Sequence, residues 1–523
     1  MSNTKTPRPE AIAGRLPRRV VIVGCNESAW MAAACLGRQF MKLGCRISVL
    51  ACGGPQAEFQ GESTLPSLRG LLSNLQIDEH DMMRETQGTY QVATQFSDWV
   101  QTERDFWQPF APAEHRSAVS LFDAWFAERS AGRLLRPFHS YSLHWGAALA
   151  GKSPYGFSGP SSISQTGSYA FHLDGRDFAV WLRAVALAAG VEEIQGEIAT
   201  VAPNGRGGIA QLRLTTGIAV ASDFYIDCTG SEAKLRSAAS GDAHESWSDR
   251  LLCDRMITVR LPGRRQIPPF TRITGQAAGW SWQIPLATTI DVGYVFGSQF
   301  ATDDAAWQQL RESLMLDGVM TGDNLVPEFS SFYSGGLTSF WRDNVLALGT
   351  AACRMDPLVS AGRHVSQLGI ETFMEMFPER SVHRSTTDYY NERMRLAVEE
   401  IRDYTLLHYL LSKRTDSLFW RSAIQSPVSQ QITGQLALYD AAGSVGSLAP
   451  EAFGESAYRY LLAGCGRLPG QPTAHARSAD PTMIQQSLRA LLKSNESALK
   501  DLPLHEELLD WIHMGQSGLQ KSA

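Results

Sequence analysis

The chain has 523 residues, 44% of them hydrophobic and 19% charged, with a formal net charge of −6. That length accommodates two or three domains, or one large domain with an appendage, and the composition is that of an ordinary globular protein. The acidic balance, without any Lys/Arg run, excludes a broad basic face for nucleic acid, and no apolar run approaches the ~18 residues that span a bilayer.

Residues 1–18 are polar, with Pro and Arg and no apolar segment before a cleavage site, so a disordered leader and a cytoplasmic location are expected. Arg19 to Val23 reads as a strand, Ser28 to Leu43 as a helix ending at Gly44, and Arg46 to Leu50 as a second strand, which together make a βαβ opening. Residues 105–170 mix aromatics, Gly, Ser and Pro without periodicity and are expected to be an irregular insertion. Phe171 to Gly190 reads as helix. Strands are predicted at Ile198–Val201, Ile209–Thr215 and Ala219–Ile226, and sheet-like alternation runs through 255–300. From about 365 the chain reads as mostly helical, with breaks at "SPVS" and around 441–455. The C-terminal "HEELLDWIHM" is amphipathic and is expected to pack on the domain. Eight cysteines are scattered without a C-x-x-C pair or histidines at zinc spacing, so they read as small buried hydrophobes in a reducing compartment, and no metal site is expected.

The stretch "VVIVGCNESAW" lies where a dinucleotide loop connects strand to helix. Such a loop uses three glycines: one for the turn, one for backbone approach to the pyrophosphate, and one for helix–strand packing. The corresponding residues are Gly24, Asn26 and Ala29. Gly24 is intact and Ala29 is an accepted third member. Asn26 puts a side chain where phosphate would approach, and Glu27 adds a negative charge there. The ribose-binding acid expected at the end of the second strand is missing, since Ala51 and Cys52 occupy that place.

Later blocks are more specific. "GWSWQIPL" contains Trp280, Trp282, Ile284 and Pro285 as W-x-W-x-I-P, and "GESTLP" runs from Gly61 to Pro66. "YAFHLDGRDFAVWLR", "FYIDCTG", "LGTAACRMDPL", "VEEIRDYTLLHYLLSKR" and "YRYLLAGCGRLPG" follow in order. Together they resemble the flavin-dependent tryptophan halogenases over roughly residues 17–475. The resemblance implies an α/β fold: an FAD-box, flavin monooxygenase-like domain (a Rossmann-type βαβ plus a mixed sheet) over 19–370, and a mostly helical, pyramid-like subdomain over 371–523. It implies FAD, reduced by a separate flavin reductase, and an aromatic, indole-like small molecule as substrate. In that family oxygen is activated on the flavin, and hypohalous acid passes along a tunnel to a lysine beside the substrate. A glutamate there orients the oxidant and takes the ring proton. The cofactor-binding positions carried over are Gly24, Asn26, Ser28, Ala29, Trp30, Ala51, Gly61, Glu62, Ser63, Gly349 and Gly362. Trp280, Trp282, Ile284 and Pro285 are expected to form a wall beside the flavin; packing of the first helix explains Trp30 equally well.

The catalytic positions depart from that pattern. The lysine's place in "GTYQVATQFSDW" is Gln91, and no shifted register supplies one, because the chain has no lysine between Lys42 and Lys152. In "DPLVSAGRH" the glutamate's place is Val359 and a threonine is replaced by Ala361, while Gly362 keeps a backbone N–H. Gln91 offers an amide where the family has a cation, and Val359 accepts no proton. Asp356 and Glu371 are the nearest carboxylates in sequence. Arg363 reads as an anion binder or half of a buried pair, His364 as a base or a structural histidine, and His408 as core. Three readings stay open: a flavin oxygenase or a weak halogenase, a non-catalytic paralogue that binds a ligand, a halogenase-like partner or a second copy of itself, and a structural relic. The absence of a second dinucleotide loop fits dependence on an external reductase.

Overall fold

β1 (Arg19–Val23) is buried from Val20 onward, as a strand covered on both faces must be. The chain turns at Gly24, runs through α1 (Glu27–Phe40) and one 3-10 turn at Met41–Leu43, and returns in β2 (Arg46–Ala51). Gly44 ends the helical run at φ 85°, a conformation that favours glycine. The computed structural model describes residues 17–51, 61–111, 119–133, 136–157, 159–161, 163–166, 168–240, 244–263, 266–319, 325–377, 382–446 and 452–514; Cys52 and all but the last two residues of the expected leader lie outside that set.

Four strands follow: β3 (Gly61–Ser63), β4 (Thr89–Gln91), β5 (Ala93–Ser97) and β6 (Phe106–Pro109). The stretch expected to be irregular contains β6 and two helices, α2 (Leu121–Ser130) and α3 (Leu143–Leu149). The missing periodicity has a physical cause. α2 buries Phe122, Ala124, Trp125, Phe126 and even the charged Glu128, and an alanine, Ala127, is only half-buried, so charge and burial do not alternate at helical spacing. Phe171 to Asp174, predicted as helix, belongs instead to β7 (Ala170–Asp174), and the helix is α4 (Gly175–Ala188). Strand pairing on both sides overrides helical propensity there, and the Asp174 side chain caps α4 by accepting from Asp177 N. β8 (Glu192–Gln195) comes next. The predicted strand Ala219–Ile226 is two pieces in different sheets, Ala219–Val220 and β9 (Phe224–Asp227).

The alternating region is a meander of β10 (Arg255–Pro262), β11 (Phe270–Gln276), β12 (Gly279–Pro285) and β13 (Thr289–Phe296), with β14 (Glu328–Ser331), β15 (Trp341–Arg342) and β16 (Val345–Ala347) beyond it. The remainder is mostly helical, as predicted, including α5 (Gly362–Glu375), α6 (Arg384–Leu410), α7 (Pro481–Asp501) and α8 (His505–Met514). Ile370, the expected end of the box domain, lies inside α5.

Three sheets position the site. A six-stranded sheet has the order β8-β2-β1-β9-β16-β15 and is parallel except for its last pair, the Rossmann-type arrangement expected from the opening βαβ. A seven-stranded mixed sheet has the order β14-β10-β13-β12-β11-β5-β6. The small sheet β3-β7-β4 brings Ser63 and Gln91 onto strands that flank β7. α8 packs on β4: Tyr90 N donates to His505 Nε2 (3.1 Å), and His513 Nε2 meets Gly88 O at 2.9 Å. Among the described residues, no helix is long and apolar enough to cross a membrane.

His144, His172, His408 and His505 are fully enclosed, and burial pushes His172 down to about 3 and the other three to about 4. Each folded-state value lies below the ordinary 6.5, so the unfolded chain takes up more protons as pH falls. Their contribution is present above about pH 6.5 and is lost as pH falls through about 4. We expect acid unfolding followed by circular dichroism to fall in that window; full stability retained below about pH 4 would contradict the neutral-histidine core.

Candidate functional site

One cavity is walled by the turn after β1, the strap β3, one face of β11 and β12, and the loop from Gly349 into α5. Alternation along β12 places Trp280, Trp282 and Ile284 on the cavity face, with the two indole rings 5.7 Å apart. Thr271 and Ile273 of β11 share that face. Pro285 does not: it faces a second groove on the other side of the sheet, and its carbonyl accepts from Thr89. Trp282 crosses β13 at Gly293, where a Cβ would meet its ring at 2.0 Å, so that glycine is required for the indole's close approach.

The loop that closes the cavity is held by short-range bonds. The Asp356 side chain caps a 3-10 turn at Pro357–Val359 by accepting from Leu358 N, and Ser360 follows at φ 52°. A non-glycine residue in that region marks a loop held by its surroundings. Val359 and Gly362 line the cavity there. Asp356 lines it too, fully buried, with Tyr409 OH donating to Oδ2 at 2.6 Å. Burial pushes the Asp356 carboxyl up to about 6, against the lowering effect of Tyr409 and Leu358 N.

Gln91 is fully buried behind this wall, in a hydrogen-bond chain whose direction can be worked out. Thr89 Oγ1 donates its proton to Pro285 O (2.7 Å), so His172 Nδ1 must donate to Thr89 Oγ1 (3.1 Å). The other nitrogen, Nε2, therefore accepts from Thr271 Oγ1 (2.9 Å), since burial keeps this imidazole neutral. Thr271 accepts from Gln91 Nε2 (2.9 Å), and Gln91 Oε1 accepts from Ser63 Oγ (2.6 Å). The amide thus connects the strap to β11 and uses both its donor and acceptor ends within the protein.

At the opposite end, Asn26 is the N-cap of α1. Its Oδ1 accepts from Ala29 N (3.0 Å) and its Nδ2 donates to Cys228 O (2.9 Å) at the end of β9. Gly24 is required beneath it, since a Cβ there would lie 2.3 Å from the same carbonyl. Glu27 and Arg363, the two unusual charges of the sequence, are partners. Arg363 donates through Nε and Nη2 to both oxygens of Glu27, and through Nη2 to Glu62 Oε2 of the strap (2.5 Å). Burial opposes the Arg363 charge, but Glu27 and Glu62 outweigh it and raise its pKa. The guanidinium also lies 4.9 Å from the Phe178 ring centre.

Asn26, Ser28, Gly61, Glu62, Ser63 and Gly349 line the cavity, and Gly24 does not. Ala29, Trp30 and Ala51 are fully buried in α1 and β2, and none lines it. His364 faces Ser67 Oγ (2.8 Å), Glu371 accepts from Gln367, and His408 is core, with Nδ1 against Tyr404 O. Sequence reasoning missed Thr271, Ile273 and Ser366; the alternation of β11 was the available signal for the first two. Among the described residues, no His/Cys/Asp/Glu group is placed to hold a metal ion. The described free cysteines are buried except Cys353, which is half-buried on the cavity wall.

A flavin dinucleotide fits these residues in three respects. Gly349, at φ 62°, has no space for a Cβ against Ser28 Oγ, so its bare backbone faces the loop. The apolar indole wall suits a planar ring. Arg363 Nη1 is buried and has no partner among the described residues, and Arg363 lines the cavity. The carboxylates of Glu27 and Glu62 are the unfavourable element for phosphate, and both are engaged by Arg363.

The family model described as tryptophan halogenase matches residues 19–481. The tryptophan 7-halogenase RebH of Lentzea aerocolonigenes is 26% identical over 94% of this chain and 98% of its own. Among solved structures, the flavin-dependent halogenase BrvH of Brevundimonas sp. BAL3 superposes with a TM-score of 0.87 at 30% identity, covering 95% of this chain and 99% of its own. A flavin-dependent halogenase from Xanthomonas campestris gives 0.86 at 29% identity, covering 95% and 98%.

Proposed function

Because the chain belongs to the tryptophan halogenase family, whose members are flavin-dependent, we propose that it is an FAD-linked oxidoreductase acting on an electron-rich, indole-like aromatic, with halogenation by the lysine–glutamate route largely disabled. The observation that carries this reading is the pairing of Gln91, bonded at both ends of its amide, with Val359, an aliphatic side chain on the cavity wall. Neither position supplies a cation or a base.

Reduced FAD, delivered by a separate reductase, supplies the electrons for oxygen activation when bound. Asn26, Ser28 and the start of α1 would hold its pyrophosphate, Gly61–Ser63 and Gly349 its flanks, and Trp280, Trp282 and Ile284 its ring. The indoles exclude water from one side. Asp356 is the carboxyl of the loop that lines the cavity without an arginine partner, and it takes the proton released from the aromatic ring.

Titration of purified apo protein with oxidised and then reduced FAD tests the reading, followed by oxygen uptake and product analysis with indoles. We expect micromolar binding, and oxygen-dependent product with or without halide. No saturation up to about millimolar, a binding free energy of only about −4 kcal/mol, removes it. That result would favour the second reading, a binding-only paralogue associated with a halogenase-like protein or with itself. The same substituted pair, Gln91 and Val359, is the feature that supports it.

A further inference from the structure

We propose that Arg363 is an anion-exchange site: Glu62 of the strap occupies a place that a cofactor phosphate takes, so phosphate binding and the Glu62 contact exclude each other. The proposal rests on the reading that the cavity receives a flavin nucleotide, and it concerns residues that explain how this chain tolerates Asn26 and Glu27 in its loop.

The geometry of the guanidinium points to the exchange. Glu27 is chelated by Nε and Nη2, a fork that closes on a neighbour at the first position of α1. Arg363 reaches Glu62 through Nη2, the nitrogen that also donates to Glu27. Nη1 is buried, has no partner among the described residues, and belongs to a residue of the cavity wall. Two carboxylates on one guanidinium leave the group with an excess negative charge beside the N-terminus of α1, where a helix favours an anion. A third anion is not accommodated on top of these two. If Glu62 withdraws, Nη1 and Nη2 present two parallel donors to phosphate oxygens, and Glu27 keeps the guanidinium oriented.

The strap is built so that this movement is local. On one side of Glu62, Gly61 N donates to Asp291, which Arg260 also holds. On the other, Ser63 Oγ donates to Gln91. The backbone is anchored at both neighbours, and the Glu62 side chain is the part that exchanges. The two glutamates are therefore unequal: Glu27 positions Arg363, and Glu62 competes for it.

The test is calorimetric titration of the full chain with FAD, FMN, riboflavin and inorganic pyrophosphate, using wild type, Glu62→Gln and Arg363→Gln. Glu62→Gln is expected to tighten FAD, FMN and pyrophosphate by about tenfold, the order expected for removing one nearby like charge, and to leave riboflavin unchanged. Arg363→Gln is expected to weaken the three phosphate-bearing ligands, again sparing riboflavin. Because that variant strands two buried carboxylates, Glu62→Gln/Arg363→Gln serves as its folded counterpart, with the same expectation. Unchanged or weaker FAD binding by Glu62→Gln, or an equal shift of FAD and riboflavin, overturns the exchange. If wild type binds neither FAD nor riboflavin, the flavin reading fails by itself. The pyrophosphate arm then decides: tightening in Glu62→Gln supports the anion site with free phosphate as its ligand, and no pyrophosphate binding overturns it.

Discussion

Replacing Gln91 with lysine is expected to lower the unfolding free energy by about 3–5 kcal/mol, the cost of an uncompensated buried charge. The side chain is fully enclosed, and its partners are neutral: Ser63 Oγ, Thr271 Oγ1, Thr94 Oγ1 and Ala93 O. An ammonium also cannot accept the Ser63 proton, so a second bond is lost. Burial depresses the lysine pKa, which sets the pH dependence. The deficit is full while the folded lysine is protonated and shrinks as pH rises toward the ordinary lysine value of about 10.4. Gln91→Met keeps the core uncharged and leaves the two hydroxyls short of partners, a loss of about 1–3 kcal/mol. Urea unfolding at neutral and alkaline pH separates the two variants. Equal, pH-independent losses would show that the chain around Gln91 is not closed. Gln91→Lys with Val359→Glu, loaded with FAD, is the corresponding functional variant; failure to raise indole halogenation would show that these positions do not limit the chemistry.

Asp356→Asn is expected to stabilise the protein above pH 6 and to remove most of its activity. The folded carboxyl titrates near 6, above its ordinary 3.8, because burial disfavours the anion. A raised acid means the folded state holds its proton longer than the unfolded chain. The contribution is present below about pH 3.8 and is lost as pH rises through about 6. At neutral pH the native protein thus carries a buried anion at a cost of about 3 kcal/mol, and an asparagine avoids it. The same anion is the proton acceptor of the proposed reaction, so turnover should fall by about 10²-fold or more, and the wild-type rate should rise through pH 6 and then level off. A variant that loses stability at pH 8, or keeps a wild-type rate and pH profile, would remove Asp356 from that role.

Much of the fold was legible because its signals are local. The apolar run Val20–Val23, Gly44 at the helix end and the alternating meander around Trp280 and Trp282 each state their own conformation. The errors share a cause. α2 buries side chains around most of its circumference, Glu128 among them, and β7 is paired on both edges, so tertiary packing blurred the periodicity that reveals a helix or overrode the propensity that suggested one. Pro285 was grouped with the tryptophans by its motif, but a strand sends neighbouring side chains to opposite faces, and Pro285 follows Ile284.

The candidate site divides the same way. The family, the βαβ loop, and the presence of an amide and a valine at Gln91 and Val359 were determined by the sequence alone, because residue identity at a motif position needs no coordinates. What those residues do required the fold. Glu27 and Arg363 are separated by 336 residues, and nothing local announces that they neutralise each other. Gln91 meets Thr271 across 180 residues, which turns an apparent loss into a closed polar chain. Asp356 belongs to a matched block, but its titration near 6 comes from burial, with Tyr409 holding it from 53 positions away. Charge pairing, desolvation and hydrogen-bond direction depend on which groups share a low-dielectric interior, and only chain topology decides that.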